Sequence, residues 1–166
     1  MPGSITWRKA RPDDARFLER WDEDPDVIAS NPNDVGRTDW RAEIERNDPF
    51  SEILIFEEDG RPVGVVCDID PALEETHYWG DCESGLRALD IWIGEARDRG
   101  RGVGAQMMRL ALARAFADPA VRAVIIDPLA SNARAIRFYE RIGFRPVERR
   151  RFGEDDCLVM RFDRPA

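Results

Sequence analysis

Short runs of the chain alternate hydrophobic and polar residues, whereas longer runs place a hydrophobic residue at every third or fourth position. Alternation predicts strands, and the longer spacing predicts helices that turn one apolar face to a core. Turn-forming glycine, proline, asparagine and aspartate residues separate these runs. The predicted elements are strands at 5–9, 52–58, 62–70, 86–95, 123–128, 145–152 and 157–163, and helices at about 12–24, 38–46, 102–117 and 132–142.

The order of these elements, β α α β β β α β α β β, predicts a mixed α/β sheet in a single domain covering residues 1–166. Residues 58–61 have the composition of a hairpin turn, so the strands on either side should pair antiparallel. The segment 27–35 is rich in aspartate, asparagine and proline. We expect it to be irregular and to border a substrate site.

Charge and composition exclude several classes of protein. A net charge of −8 repels a phosphate backbone, which argues against nucleic-acid binding. Three cysteines and one histidine leave no spacing for a metal site or a disulfide scaffold. No run is long and apolar enough to cross a membrane, and no secretory signal is visible, so we expect a cytoplasmic protein without a membrane partner.

The strongest local signal is the glycine-rich run Arg99 to Ala105, which lies between a predicted strand and a predicted helix. Free backbone N–H groups at a helix N-terminus bind anions, so this run is expected to cradle a diphosphate. A Walker loop would need lysine and serine or threonine where Ala105 and Gln106 stand. A dinucleotide fingerprint would need glycine or alanine where Met107 stands.

Two motifs in order resemble the GNAT superfamily of N-acetyltransferases. Arg99, Gly102 and Gly104 match its diphosphate motif, and the run from Asn132 to Phe144 matches its second motif of Asn, Ala, Tyr and Gly-Phe. The resemblance spans residues 5 to 163. Within the superfamily the chain looks most like the aminoglycoside 6′-N-acetyltransferases, on the segments Leu86 to Asp90, Asp118-Pro119, Asp127-Pro128 and Ser131 to Arg137.

The resemblance implies a mixed, mostly antiparallel sheet of six to seven strands with helices on both faces. It implies acetyl-CoA as cofactor and direct acetyl transfer without an acyl-enzyme. The backbone of the glycine-rich run would hold the diphosphate, the strand edge would pair with the pantetheine arm where a splay opens beside Ile93, and Asn132 would bond that arm. The residues expected to bind the cofactor are Ile91, Trp92, Ile93, Arg99, Gly100, Arg101, Gly102, Val103, Gly104, Ala105, Asn132, Ala135 and Tyr139.

Two residues are expected to carry the chemistry. Tyr139 lies seven residues after Asn132 on the same helix face and would protonate the departing thiolate; its alternative is a core aromatic. Asp90 is a carboxylate in mid-strand and would bind the acceptor amine and accept its proton; its alternative is an ion pair with Arg87 or another arginine. Trp79, Glu75 and Asp127 are the remaining acceptor-side candidates.

The expected acceptor is a primary amine of a small molecule, with an aminoglycoside first. A siderophore hydroxylamine, a protein N-terminus and a CoA-binding regulator without catalysis remain as alternatives. The protein would be a monomer or a homodimer, the latter through the terminal strands 145–152 and 157–163.

Overall fold

The computed structural model describes residues 2–31 and 38–166. Within them, no helix is long and apolar enough to span a bilayer. The strands of the described residues are β1 (Ile5–Lys9), β2 (Ser51–Glu58), β3 (Arg61–Ile69), β4 (Leu86–Ile93), β5 (Ala123–Ile126), β6 (Arg145–Phe152) and β7 (Asp155–Asp163). The α-helices are α1 (Ala15–Trp21), α2 (Pro25–Ser30), α3 (Trp40–Arg46), α4 (Val103–Phe116) and α5 (Ala133–Ile142), with short 3₁₀ turns at Pro12–Asp14 and Ala96–Asp98.

All seven strands form one sheet in the order β1-β2-β3-β4-β5-β7-β6. Every neighbouring pair is antiparallel except β4 and β5, which are parallel. The predicted mixed, mostly antiparallel sheet is therefore confirmed. Strand β7 lies between β5 and β6 with both of its edges paired, so of the two strands expected to form a dimer only β6 lies at the end of this sheet, and the dimer stays a prediction.

Helices cover both faces of the sheet. Along β2, Leu54 and Phe56 face α4, whereas Ile55 faces α1 and α3. Met107 of α4 and Leu18 of α1 are fully buried on opposite sides. Each such side chain contributes about 1.5–3 kcal/mol through burial. The alternation of β2 is thus explained by two separate cores.

The first helical region differs from its prediction. Asp24 and Pro25 were expected to end a helix, but they begin α2: the Asp24 carboxylate accepts hydrogen bonds from the N–H groups of Asp26 and Val27. Aspartate before proline is a strong N-terminal signal as well as a stop signal. The expectation of an irregular segment is therefore wrong for Val27 to Ser30, and residues 32–35 of that segment lie outside the described residues.

The parallel pair β4 and β5 separates after three rows. Leu86 pairs with Ala123 and Ala88 pairs with Ile125. Strand β5 ends at Ile126, while β4 continues to Ile93 alongside β3. A splay was expected beside Ile93; it opens earlier, from Leu89 onward, and leaves five residues of β4 without a β5 partner.

Gly94, directly after β4, offers a test of this packing. A Cβ there would overlap ring atoms of Trp21, which is almost fully buried. We expect Gly94→Ala to lower the free energy of unfolding by about 1–3 kcal/mol, because the indole must shift in a close-packed core. Urea denaturation measures the change. The matched control is Gly104→Ala, whose nearest neighbour stands 3.4 Å away and whose effect should stay under about 1 kcal/mol; equal effects would contradict the packing.

Candidate active site

The glycine-rich loop ends in an open helix N-terminus. Gly100 and Gly102 have φ of +72° and +87°, a left-handed conformation that suits glycine. Gly102 is the N-cap of α4 and provides no side-chain acceptor for the first-turn N–H groups. The amides of Gly104 and Ala105, which line the cavity described below, are therefore available to an anion, which the helix dipole also favours.

An ion-pair cluster fixes this loop from behind. Arg101 donates to Glu58 (3.0 Å) and to Asp98 (2.7 Å), and Arg61 donates to Asp98 as well (2.8 and 3.0 Å). Asp98 is only 1% exposed. The hydrogen bonds from Arg61, with help from Arg101, lower the pKa of Asp98 to about 2, and Arg101 lowers the pKa of Glu58 to about 2. The Arg101 side chain thus holds the loop in place through its ion pairs, while the Arg101 backbone forms part of the glycine-rich loop.

Arg99 has a different position from the one expected. Its guanidinium donates to Asp24 (3.0 Å), Asp26 (2.9 Å) and the carbonyl of Ile93 (3.3 Å). The Arg99 guanidinium, which was predicted to bind a diphosphate, is thus already paired with two carboxylates at the N-terminus of α2. Arg99 therefore ties α2 to the end of β4 in this structure.

A cavity of about 840 Å³ opens over the loop; we call it the loop cavity. It runs between α2 and α5 along the free edge of β4. Most of the predicted cofactor residues line it, whereas Arg101 does not and Val103 is fully buried in the core. The predicted residues in its lining are Ile91, Trp92, Ile93, Arg99, Gly100, Gly102, Gly104, Ala105, Asn132, Ala135 and Tyr139.

The charge of the loop cavity is positive. Four arginines and one aspartate line it among the described residues. Arg109, Arg134 and Arg141 form no ion pair with any residue that the structure describes, while Arg99 is paired with Asp24 and Asp26. Unpaired guanidinium groups beside free helix amides make a site for a multiply charged anion.

A second cavity of about 370 Å³ adjoins the first; we call it the carboxylate cavity. Four acidic side chains line it, and within the described part of the chain no arginine or lysine does. These four are Glu74, Asp90, Asp127 and Asp155. The two cavities share Ile91, Trp92, Asn132 and Tyr139, among others, so an anionic ligand and a cationic one can meet at Tyr139.

Helix α5 positions Asn132 and Tyr139. The Asn132 side chain caps the helix by accepting a hydrogen bond from the N–H of Ala135 (3.2 Å), a role that was not predicted. Tyr139 lies two turns further on and packs on the edge of the core. Burial, and then the charges of Asp90 and Asp127, raise the pKa of Tyr139. Its hydroxyl is thus protonated near neutral pH, as a proton donor requires.

Asp90 is exposed on the face of β4 that lines the carboxylate cavity. Arg87, which was considered as an ion-pair partner of Asp90, donates to Asp68 (2.7 Å). Asp68 is buried beneath Arg87 and Arg114 and lies outside both cavities. The carboxylate of Asp90 therefore lies where β4 separates from β5.

The acidic loop places its side chains differently from the prediction. Trp79 is only 4% exposed and supports the cavity from below, whereas Tyr78 is 46% exposed. Glu75 pairs with Arg46 at the surface (2.9 Å) and is absent from the described lining. Its neighbour Glu74 is buried and faces the cavity instead, because it accepts hydrogen bonds from the backbone of the following turn. No local pattern distinguishes the two glutamates.

A family model for the acetyltransferase (GNAT) domain matches residues 11–152. The chain belongs to this family. The assignment confirms the predicted acetyltransferase class and acetyl-CoA as its cofactor.

Two relatives point to the same group. A kanamycin resistance protein of Rhizobium radiobacter is 37% identical over 73 residues, which cover 43% of this chain and 68% of that protein. An aminoglycoside N(6′)-acetyltransferase type 1 of Klebsiella pneumoniae is 33% identical over 86 residues, or 51% of this chain and 43% of that protein. The second match thus spans less than half of its relative.

The structure of aminoglycoside acetyltransferase AAC(6′)-Ib in complex with coenzyme A superimposes with a TM-score of 0.85. The two proteins are 22% identical, and the match covers 97% of this chain and 95% of the other. This likeness confirms the fold and the sheet with helices on both faces.

The brace behind the loop makes stability depend on pH. We expect Asp98→Asn to reduce the free energy of unfolding by about 2 kcal/mol at pH 7. Because the pKa of Asp98 is lowered to about 2 from 3.8, this stabilisation is complete above about pH 5 and is lost as the pH falls toward 2. Urea titrations of wild type and variant at pH 7, 4 and 3 measure the difference between their free energies of unfolding, which should become smaller as the pH falls.

The control for that experiment is Asp13→Asn at an exposed position, which should change stability by less than about 0.5 kcal/mol. A stability difference for Asp98→Asn that stays constant from pH 7 to pH 3 would show that the ion pairs do not stabilise the loop.

Proposed function

We propose that this chain transfers the acetyl group of acetyl-CoA to a primary amine of a polycationic small molecule, with an aminoglycoside as the leading acceptor. The observation that carries the proposal is the opposite charge of two joined cavities. The loop cavity is lined by four arginines and one acid, and the carboxylate cavity by four acids. Tyr139 stands where they meet.

On the cofactor side, the amides of Gly104 and Ala105 would hold the diphosphate, supported by the charges of Arg109, Arg134 and Arg141. The pantetheine arm carries amide groups, which can pair with the β4 edge that β5 leaves open. This path ends beside Tyr139. The thioester would then sit in the splay between the two strands.

On the acceptor side, Asp90 would attract the ammonium group and accept a proton from it, since only the neutral amine is a nucleophile. The amine forms a C–N bond with the thioester carbonyl carbon, and the C–S bond breaks as the tetrahedral intermediate collapses. The thiolate leaves with a proton donated by the Tyr139 hydroxyl, and the second proton that the nitrogen loses as the amide forms returns to Tyr139 through solvent, which restores the hydroxyl.

The acceptor class is supported by charge and by the relatives. Four carboxylates around one cavity of about 370 Å³ favour a ligand with more than one ammonium group. The matched relatives are named for kanamycin resistance and for aminoglycoside acetylation. The two matches cover 43% and 51% of this chain, so the acceptor is part of the proposal.

A thiol-release assay tests this function. Wild-type protein with acetyl-CoA is given kanamycin, a hydroxylamine or a peptide with a free N-terminus. We expect release of CoA thiol with kanamycin at the highest kcat/KM. Turnover confined to the hydroxylamine or the peptide would contradict the acceptor, and calorimetric binding of CoA without turnover of any amine would contradict catalysis.

Tyr139→Phe separates chemistry from binding. Removal of the hydroxyl should lower kcat by about 100-fold, because the thiolate then leaves without a positioned acid. The dissociation constant for CoA, measured by calorimetry, should change less than about twofold, since the ring and its packing remain. Full activity of this variant would exclude the acid role.

A further inference from the structure

Helix α2 and the residue after it form part of the wall of both cavities. The loop cavity is lined by Asp26, Val27, Ala29 and Ser30, and the carboxylate cavity by Ser30 and Asn31. Ser30 lies about one turn after Asp26, and its hydroxyl donates to the Asp26 carbonyl (3.0 Å). The position of this helix therefore affects the shape of the proposed acceptor side as well as the cofactor side.

Packing alone holds α2 weakly. Val27 is its one buried residue, and a helix of six residues is too short to be stable by itself. Within residues 2–31 and 38–166, the hydrogen bonds that join residues 24–31 to segments beyond α1 all come from Arg99. The position of α2 therefore depends on the Arg99 side chain.

The charge of Arg99 is used in these contacts. Its side chain is only 15% exposed and donates to the carboxylates of Asp24 and Asp26. Partial burial acts to raise the pKa of Asp24, but the hydrogen bonds from Arg99 and from the backbone lower it. The third acceptor is the carbonyl of Ile93, the last residue of β4. One guanidinium faces two carboxylates, so this cluster has no net positive charge to offer a phosphate.

A similar ion pair links the neighbouring helix to the same region of the chain. Arg20 of α1 donates to Glu95, which lies between β4 and α4 (2.7 Å). No residue of α1 lines either cavity. The Arg20 pair thus serves as a matched link that borders no proposed ligand.

We propose that Arg99 is a positioning residue for the acceptor: it holds α2 at the end of β4, so that Ser30 and Asn31 stay in the wall of the carboxylate cavity. This inference rests on the proposed function and refines it, because it assigns Arg99 to the acceptor although Arg99 lines the loop cavity. The unpaired Arg109 would bind phosphate instead.

Arg99→Gln tests this role through thiol release with acetyl-CoA and kanamycin, and through calorimetry with CoA. Without the guanidinium, Asp24 and Asp26 repel each other and α2 loses its link to β4. We expect the kanamycin KM to rise about tenfold and kcat to change less than about threefold, because the acceptor is bound in a misshapen cavity. The dissociation constant for CoA should change less than about twofold.

Two controls separate this role from general loosening and from phosphate binding. Arg20→Gln removes the matched link and should leave the kanamycin KM within about twofold of wild type. Arg109→Gln should give the opposite pattern to Arg99→Gln: the dissociation constant for CoA rises about fivefold, and the kanamycin KM at saturating acetyl-CoA stays within about twofold.

Asp26→Asn provides a second variant that removes only one of the two carboxylates. It should raise the kanamycin KM about threefold in the wild-type background and less than about 1.5-fold in the Arg99→Gln background, because the contact is already lost there. Thermal melts of each variant verify that it is folded. If Arg99→Gln does not fold, Asp26→Asn alone decides, and an unchanged KM then overturns the inference.

Three results for Arg99→Gln would overturn the inference and leave acetyl transfer intact. These are an unchanged kanamycin KM, a change of more than twofold in the dissociation constant for CoA, and a rise in KM that Arg20→Gln reproduces. Failure of the wild-type protein to acetylate kanamycin would instead overturn the proposed function, and this inference with it.

Discussion

The separation of β4 from β5 beyond the row of Ala88 and Ile125 determines what the rest of the molecule can do. Inside a sheet, unpaired N–H and C=O groups need partners, so an opened strand edge attracts any ligand that carries amides. The same opening brings the carboxyl end of β5 and the middle of β4 to the rim of one cavity. One geometric feature therefore underlies both the proposed path of the cofactor and the proposed entrance for the acceptor.

The two cavities that meet at this opening have opposite charges, so one side suits an anionic ligand and the other a cationic one. Most arginines of this acidic chain are used in ion pairs, such as those that hold Asp98 and Asp68. Arg109, Arg134 and Arg141 are left without such pairs at the loop cavity, and the acids collect on the other side of Tyr139. The net charge of −8 does not reveal this arrangement, because it is a sum over sites of opposite sign.

The motifs could be found in the sequence because their chemistry is local. The glycines at 100 and 102 are required by left-handed backbone, and Asn132 and Tyr139 share a helix face, so both signals survive without tertiary information. Asp90 could be singled out in the same way, as a carboxylate in the middle of a predicted strand. These features located the fold, the loop and the junction of the two cavities.

The remaining site residues depend on contacts between distant segments. Arg61 and Asp98 are 37 residues apart, and Tyr78 and Asp127 are 49 apart, so no periodicity connects them. Glu74 and Glu75 are chemically identical, and only the turn that follows decides which one is buried. The start of α2 was misread because Asp24 and Pro25 are typical of both a helix start and a helix end.

A crystal structure of the protein with bound CoA tests the role of the opened sheet most directly. Diphosphate oxygens are expected within hydrogen-bonding distance of the amides of Gly104 and Ala105, and the thiol is expected between β4 and β5 next to the Tyr139 hydroxyl. Phosphates bound away from the N-terminus of α4, or a thiol outside the splay, would contradict this role of the opened sheet.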